Sequence, residues 1–340
     1  MDPLGLSIPL LVLFVTFGFM VGVFFGFFGM GGAFLVTPAL LILGYPASVA
    51  IGSSMAFVFG TAIIATFKHH DVGQVDYKLG GLMFVGIALG IELGSMLVFG
   101  LEALGYAEVV VGTVYVLLLA SIGVLFIRSS NTQGEDEDDE VDEDEIPEIA
   151  KKIKSYNIPP MMTLTDGSKA SLWTISGVGG GVGVVSGFLG VGGGFLRMPA
   201  IYYVIGVPLA AAVGTSLFGA LMSGAVGAFT YGLSGVIDLG VVTALLVGSA
   251  LGARIGSAST AYVDESDVTI YFGIMLLLAS TAVAFGELAN WMEMPILDTV
   301  SFVLLVGSAL FVTVVIFYFG IQAIREREDR PAPVATGGEI

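Results

Sequence analysis

Nine apolar stretches, each of about 20 residues, punctuate this chain of 340, at 6–28, 46–67, 79–100, 109–127, 172–189, 208–231, 239–257, 268–285 and 296–321. A helix rises about 1.5 Å per residue, so each stretch can cross the roughly 30 Å of hydrocarbon in a bilayer. Inside lipid every backbone N–H and C=O must be paired within the structure, which a helix achieves in its own segment. Composition points the same way: 56% of residues are hydrophobic and 12% charged, about half the charged share of a soluble domain. The sequence therefore reads as an all-α polytopic membrane protein. Two further apolar pieces, 33–43 and 194–205, hold only about a dozen residues and are too short to cross, which predicts half-helices or re-entrant arms. The first stretch lacks a basic flank before it and a small-residue cleavage site after it, so it is expected to be retained.

The net charge of −17 is regional, because ten of the 29 acidic residues lie between Glu135 and Glu145, interrupted only by Val141. Such a block repels itself and buries nothing, which predicts a largely disordered linker over 129–170. The expected organisation is a first transmembrane repeat at 1–128, that linker, a second repeat at 171–287, an additional C-terminal span at 288–324 and a tail at 325–340. Surplus acid with little lysine also suits a high-salt cytosol, and a regulatory role for the linker stays open beside that reading. The chain has no cysteine and two histidines, the adjacent His69 and His70. Disulfides, thiolate chemistry and imidazole-rich metal sites are thereby excluded, and no cofactor is expected. Membrane lipid is the expected surrounding, no nucleic-acid partner is expected, and the oligomeric state is open, a homo-oligomer included.

Internal similarity carries the most information. The run Gly26-Phe-Phe-Gly-Met-Gly-Gly-Ala-Phe-Leu-Val-Thr-Pro38 matches Gly187-Phe-Leu-Gly-Val-Gly-Gly-Gly-Phe-Leu-Arg-Met-Pro199 at an offset of 161. After one inserted residue, Gly52-Ser53-Ser54 answers Gly214-Thr215-Ser216, Asp76 answers Asp238, and Gly86 and Gly90 answer Gly248 and Gly252. The chain is a duplication. Basic residues favour cytoplasmic loops, and Lys68, Lys78, Arg128, Lys151, Lys152, Lys154, Lys169, Arg254, Arg325, Arg327 and Arg330 can all face that side together. The alternate loops hold Glu102, Glu108, Asp238, Glu287 and Glu293 without a basic residue and are expected outside. The N-terminus is then outside, with the linker and C-terminus cytoplasmic. Each repeat combines a hairpin with three crossings, an odd number, so the expected fold is two inverted-topology helical repeats with broken helices at the glycine motifs, plus one C-terminal span. Tyr45, Tyr106, Tyr231, Trp173 and Trp291 fall near span ends, as an interfacial belt requires.

Candidate chemistry concentrates at the two glycine motifs. Gly29, Gly31 and Gly32, and Gly190, Gly192, Gly193 and Gly194, precede the short arms. Glycine permits positive φ and close backbone approach, and irregular backbone at membrane depth is tolerated where it is buried or lines a cavity. Pro38 and Pro199 are expected near the first turn of each arm, and the unpaired N–H groups of a helix start suit an anion. Tight packing through small residues is the competing reading. Arg197, answered by Val36 in the other repeat, is the one basic residue the cytoplasmic assignment leaves over, and a guanidinium there can hold an oxyanion. Ser53, Ser54, Thr215 and Ser216 add hydroxyls, though such groups also bond back to helix carbonyls. Glu92, an intramembrane carboxylate matched by Arg254, is the candidate for proton coupling.

At the paired Gly-x-Gly-Gly-[Ala/Gly]-Phe-Leu-x-x-Pro motifs the sequence resembles the TauE/SafE sulfite exporter family, also described as a toluene sulfonate uptake permease family. The likeness covers 6–127 and 172–287, including Gly52-Ser53-Ser54 and Gly214-Thr215-Ser216; Ala33 in place of a third glycine and the long acidic linker depart from it. The resemblance implies a multi-pass carrier for sulfite, sulfonates, sulfoacetate or a related small anion, with export as the expected direction. Uptake of an organosulfonate or another small organic anion is the alternative, and a non-transporting scaffold with an acidic interaction loop is the rival of another class. An enzyme is not expected, since neither Ser54 nor Ser216 has a partnering base in the sequence. No Gly-x-x-x-x-Gly-Lys-Ser motif is present to supply ATP drive.

Overall fold

The computed structural model describes residues 3–28, 32–70, 76–132, 152, 159–164, 169–207, 209–260, 262–263, 265–292 and 294–328. Eleven helices carry the fold among them: α1 (Ile8–Phe28), α2 (Val36–Ile42), α3 (Ala47–His70), α4 (Tyr77–Ala103), α5 (Ala107–Thr132), α6 (Leu172–Leu189), α7 (Gly194–Ala200), α8 (Leu209–Leu233), α9 (Leu239–Ser259), α10 (Glu265–Met292) and α11 (Pro295–Glu328). Eight of the described helices are long and apolar enough to cross a membrane. The ninth expected span is α3, a helix of 24 residues. The two short pieces are present: a 3-10 turn at Gly32–Leu35 leads into α2, and α7 continues into a π turn at Ile201–Ile205.

Local chemistry starts the longer helices where the sequence offers caps. The Asp76 carboxylate accepts from the Leu79 N–H (2.9 Å) at the start of α4, and Asp238 accepts from the Val241 N–H (3.1 Å) at the start of α9. Ser171 accepts from the Trp173 N–H (3.2 Å) at the start of α6. Each satisfies a donor that the first turn would otherwise leave unpaired.

The main helix pairings join one half of the chain to the other: α1 with α9, α4 with α6, α3 with α8, and α5 with α10. Two of these seams are built on glycines spaced four apart, Gly18, Gly22 and Gly26 facing Gly248, Gly252 and Gly256, and Gly86, Gly90 and Gly94 facing Gly179, Gly183 and Gly187. The repeat register carries one seam onto the other. A Cβ at Gly22 would lie 2.5 Å from the Ser249 carbonyl oxygen, and one at Gly183 2.6 Å from that of Ile87. Lipid supplies no hydrophobic drive between helices, so backbone contact of this kind is what holds them. Large apolar side chains such as Leu89 and Leu93 on α4 and Val303 and Val314 on α11 remain exposed on the outside of the bundle, as a lipid-facing surface requires.

Two sequence expectations change here. Part of the segment expected to be disordered is a β-hairpin, with β1 (Met161–Thr163) pairing antiparallel to β2 (Lys169–Ser171). It is tied to the helices because the Lys78 ammonium donates to the Thr163 carbonyl and the Trp173 indole to that of Pro159. The acidic run itself lies outside the described residues. Tyr231 is fully buried, unlike Trp173, Trp291 and Tyr106, which are exposed; its phenol has an internal partner described below.

Candidate functional site

The second glycine motif ends α6 abruptly. Gly190, Gly192 and Gly193 all take left-handed φ, at 77°, 68° and 72°, a region that costs a side-chain-bearing residue about 1 kcal/mol or more. The break exposes the last carbonyls of α6, and the rest of the molecule covers them. Ser186 O receives the Gly190 N–H at 2.7 Å. Gly187 O receives the Tyr231 hydroxyl at 2.6 Å, Leu189 O the Tyr115 hydroxyl, and Gly190 O the Ser54 hydroxyl at 2.9 Å. Buried carbonyls without partners would destabilise the break, so these side chains from α3, α5 and α8 fix it in place.

Ser54 also contacts the first motif, its hydroxyl lying 3.3 Å from the Ala33 carbonyl oxygen. One serine thus bridges the two motifs, and Phe34 meets its repeat counterpart Phe195 edge-on, with ring centroids 6.0 Å apart. Ser216, the counterpart of Ser54, donates to Gly194 O at 2.8 Å. Gly29 and Gly31 lie outside the described residues; Gly32 opens the 3-10 turn.

Arg197 projects from α7 and is fully buried. Its guanidinium donates to the Ser216 carbonyl at 3.1 Å, to the Gly192 carbonyl at 3.3 Å and to the Ser223 hydroxyl, while its Nε–H has no partner. Among the described residues no carboxylate pairs with it. Room for the side chain comes from Gly219, where a Cβ would lie 2.6 Å from Arg197 Cδ. In the first half the equivalent three positions are Val36, Phe57 and Thr61: aliphatic, space-filling, and a hydroxyl bonded back to its own helix at Phe57 O (3.0 Å). Pro199 sits inside α7, not in its first turn, because the helix begins directly at Gly194.

Ser53 and Thr215 are placed differently from Ser54 and Ser216. The Asp238 N–H donates to Ser53 Oγ and the Asp76 N–H to Thr215 Oγ1, both at 3.0 Å. These reciprocal bonds tie each half to the cap of the other. Glu92 is not brought to the motifs; it lies on an exposed face of α4, 3.4 Å from the Thr230 hydroxyl. Arg254 is also exposed. At the end of the bundle remote from Lys78, Glu108, Glu287 and Asp298 line a cavity of about 440 Å³ with the turn at Gly44–Pro46. Burial, and then the charge of Asp238, raise the pKa of the Tyr45 phenol in that turn.

Sequence reasoning missed Gly219, Ser223, Ser186, Tyr115 and Tyr231. For Gly219 and Ser223 a signal existed, since continuing the repeat comparison through α3 and α8 sets Gly219 against Phe57 and Ser223 against Thr61. The two tyrosines carried none, because their partners are main-chain carbonyls created by the break.

Residues 14–283 match the family described as sulfite exporter TauE/SafE. A probable membrane transporter protein of Xylella fastidiosa is 28% identical over 216 residues, covering 62% of this chain and 70% of that protein. The probable membrane transporter protein YunE of Bacillus subtilis is 26% identical over 219 residues, covering 60% and 72%. The Arabidopsis thaliana sulfite exporter TauE/SafE family protein 6 is 26% identical over 132 residues, covering 37% and 31%. No solved structure matches the chain. With a family match across most of its length and two halves of apolar helices interlocked at paired glycine motifs, the chain belongs to the sulfite exporter TauE/SafE family of membrane transporters.

Proposed function

We propose that the protein is a secondary carrier that exports a small sulfur-containing anion, sulfite or a sulfonate, by rocking two inverted repeats about the glycine motifs. The observation that carries the reading is Arg197, a buried cation with only neutral acceptors around it and an unpaired Nε–H. Burying such a charge is costly without a counter-charge, and an oxyanion arriving at the second motif supplies one. Inversion draws support from the reciprocal Asp76–Thr215 and Asp238–Ser53 bonds and from the two matched glycine seams. Orientation draws support from charge: the acids around the Gly44–Pro46 cavity gather at one end and Lys78 and Lys169 at the other. An inside-negative potential already expels an anion, so export needs no coupled ion.

The test is flux into proteoliposomes of sulfite, a sulfonate, sulfate and a carboxylate. Sulfite or sulfonate flux is expected in the wild type. In Arg197→Ala the apparent affinity should fall by about 100-fold or more, the equivalent of two charge-assisted hydrogen bonds. Unchanged affinity in the variant contradicts the assignment.

A further inference from the structure

The second motif holds another unpaired polar group besides Arg197. Ser186 is fully buried on α6, and its hydroxyl has no partner. A buried helical serine ordinarily bonds back to the carbonyl four residues earlier, as Ser223 does to Gly219 at 3.0 Å. Ser186 instead faces Gly193: a Cβ built there would lie 2.5 Å from Ser186 Oγ and 3.1 Å from Arg197 Nη2. Over this one glycine an unpaired hydroxyl meets the Arg197 Nη2, which donates to Gly192 and Ser223, while the unpaired Nε–H of the same guanidinium lies against Gly219. Buried polar groups are almost always paired. Arg197 is also the one buried cation among the described residues, since Lys78, Arg128, Lys152, Lys169, Arg254 and Arg325 are all exposed. The first-half counterparts of Ser186 and Arg197 are Phe25 and Val36, both buried and apolar.

Resting on the carrier reading above, we propose that Ser186 is a specificity-determining ligand and that Ser186 and Arg197 together hold a single negative charge, selecting singly over doubly charged oxyanions. The serine hydroxyl donates to one oxygen of the bound head and Arg197 to another. A second charge on the ligand has no further buried cation to pair with, Arg197 being the one among the described residues, which leaves it uncompensated at low dielectric.

Methanesulfonate and sulfate separate charge from shape, since both are small tetrahedral oxyanions with one and two charges. Equilibrium binding of each to the purified full-length protein is the measurement, with melting temperature as the check on folding. Methanesulfonate is expected to bind at least tenfold more tightly than sulfate. Ser186→Ala should weaken methanesulfonate roughly tenfold or more, the loss of a hydrogen bond to a charged group. Ser186→Cys, close in shape and a weaker donor, should weaken it in the same direction and serves if the alanine variant unfolds. Ser249→Ala, which removes another buried unpartnered hydroxyl in the α1–α9 seam, should leave binding unchanged. Equal affinity for the two anions, or Ser186 variants within twofold of wild type, overturns the proposal. If Arg197→Ala still abolishes binding in that case, the carrier reading stands without it; binding of neither anion overturns both.

Discussion

The two glycine motifs match in sequence but sit in chemically unlike surroundings. Around the second, a guanidinium is buried in a pocket made by Gly219 and accepted by Gly192, Ser216 and Ser223. Around the first, Val36 and Phe57 occupy the same positions and are fully buried, and Phe34 joins Phe28 and Phe126 against Phe272. What remains equivalent is architectural: the seam glycines, the aspartate caps and the serines that bond the start of each arm. The matched positions thus share a framework, and the differences between the two halves mark where charge has been placed.

That contrast can be broken directly. Introducing the charge on the wrong side, as Val36→Arg, buries a guanidinium with Phe57 in its way. A cost of several kcal/mol is expected, seen as loss of extractable folded protein; adding Phe57→Gly should recover part of it, and full stability of the single variant would show that the first motif already has room. A smaller effect tests the bridge between the motifs. Ser54→Ala leaves the Gly190 carbonyl without its donor and should cost about 1–3 kcal/mol in thermal or denaturant stability. The same change at Ser216 touches only its own arm and should cost less; equal losses would mean the bridge adds nothing. The smallest effect is expected at Glu92, which lies away from both motifs: Glu92→Gln should leave flux within about twofold and its pH dependence unchanged, and a shifted pH profile would restore it as a proton carrier.

Much of this was legible in the sequence because membrane folding leaves few options. The span lengths, the two short arms and the repeat register follow from hydrocarbon thickness and from motif spacing, and eight of the nine expected spans are present as long apolar helices among the described residues. Arg197 stood out because its charge had no place in the loop pattern. Ser186 did not, since one serine in a glycine-rich helix looks like any small packing residue until its hydroxyl is found unpaired. Tyr231 was misjudged because a tyrosine near a span end suits an interface equally well, and only the carbonyls freed at the break show why it turns inward. The hairpin at 161–171 was hidden by its acidic neighbour, whose charge dominates the composition of that segment.

The central claim is that the duplicated halves lie upside down relative to each other. Tyr77 and Leu239 occupy equivalent exposed positions at the starts of α4 and α9, and the chain has no cysteine of its own. Single variants Tyr77→Cys and Leu239→Cys can therefore be labelled in intact cells with a membrane-impermeant maleimide. Leu239→Cys should react from outside and Tyr77→Cys only after permeabilisation. Labelling of both from the same side would contradict inversion, and with it the carrier geometry built on it.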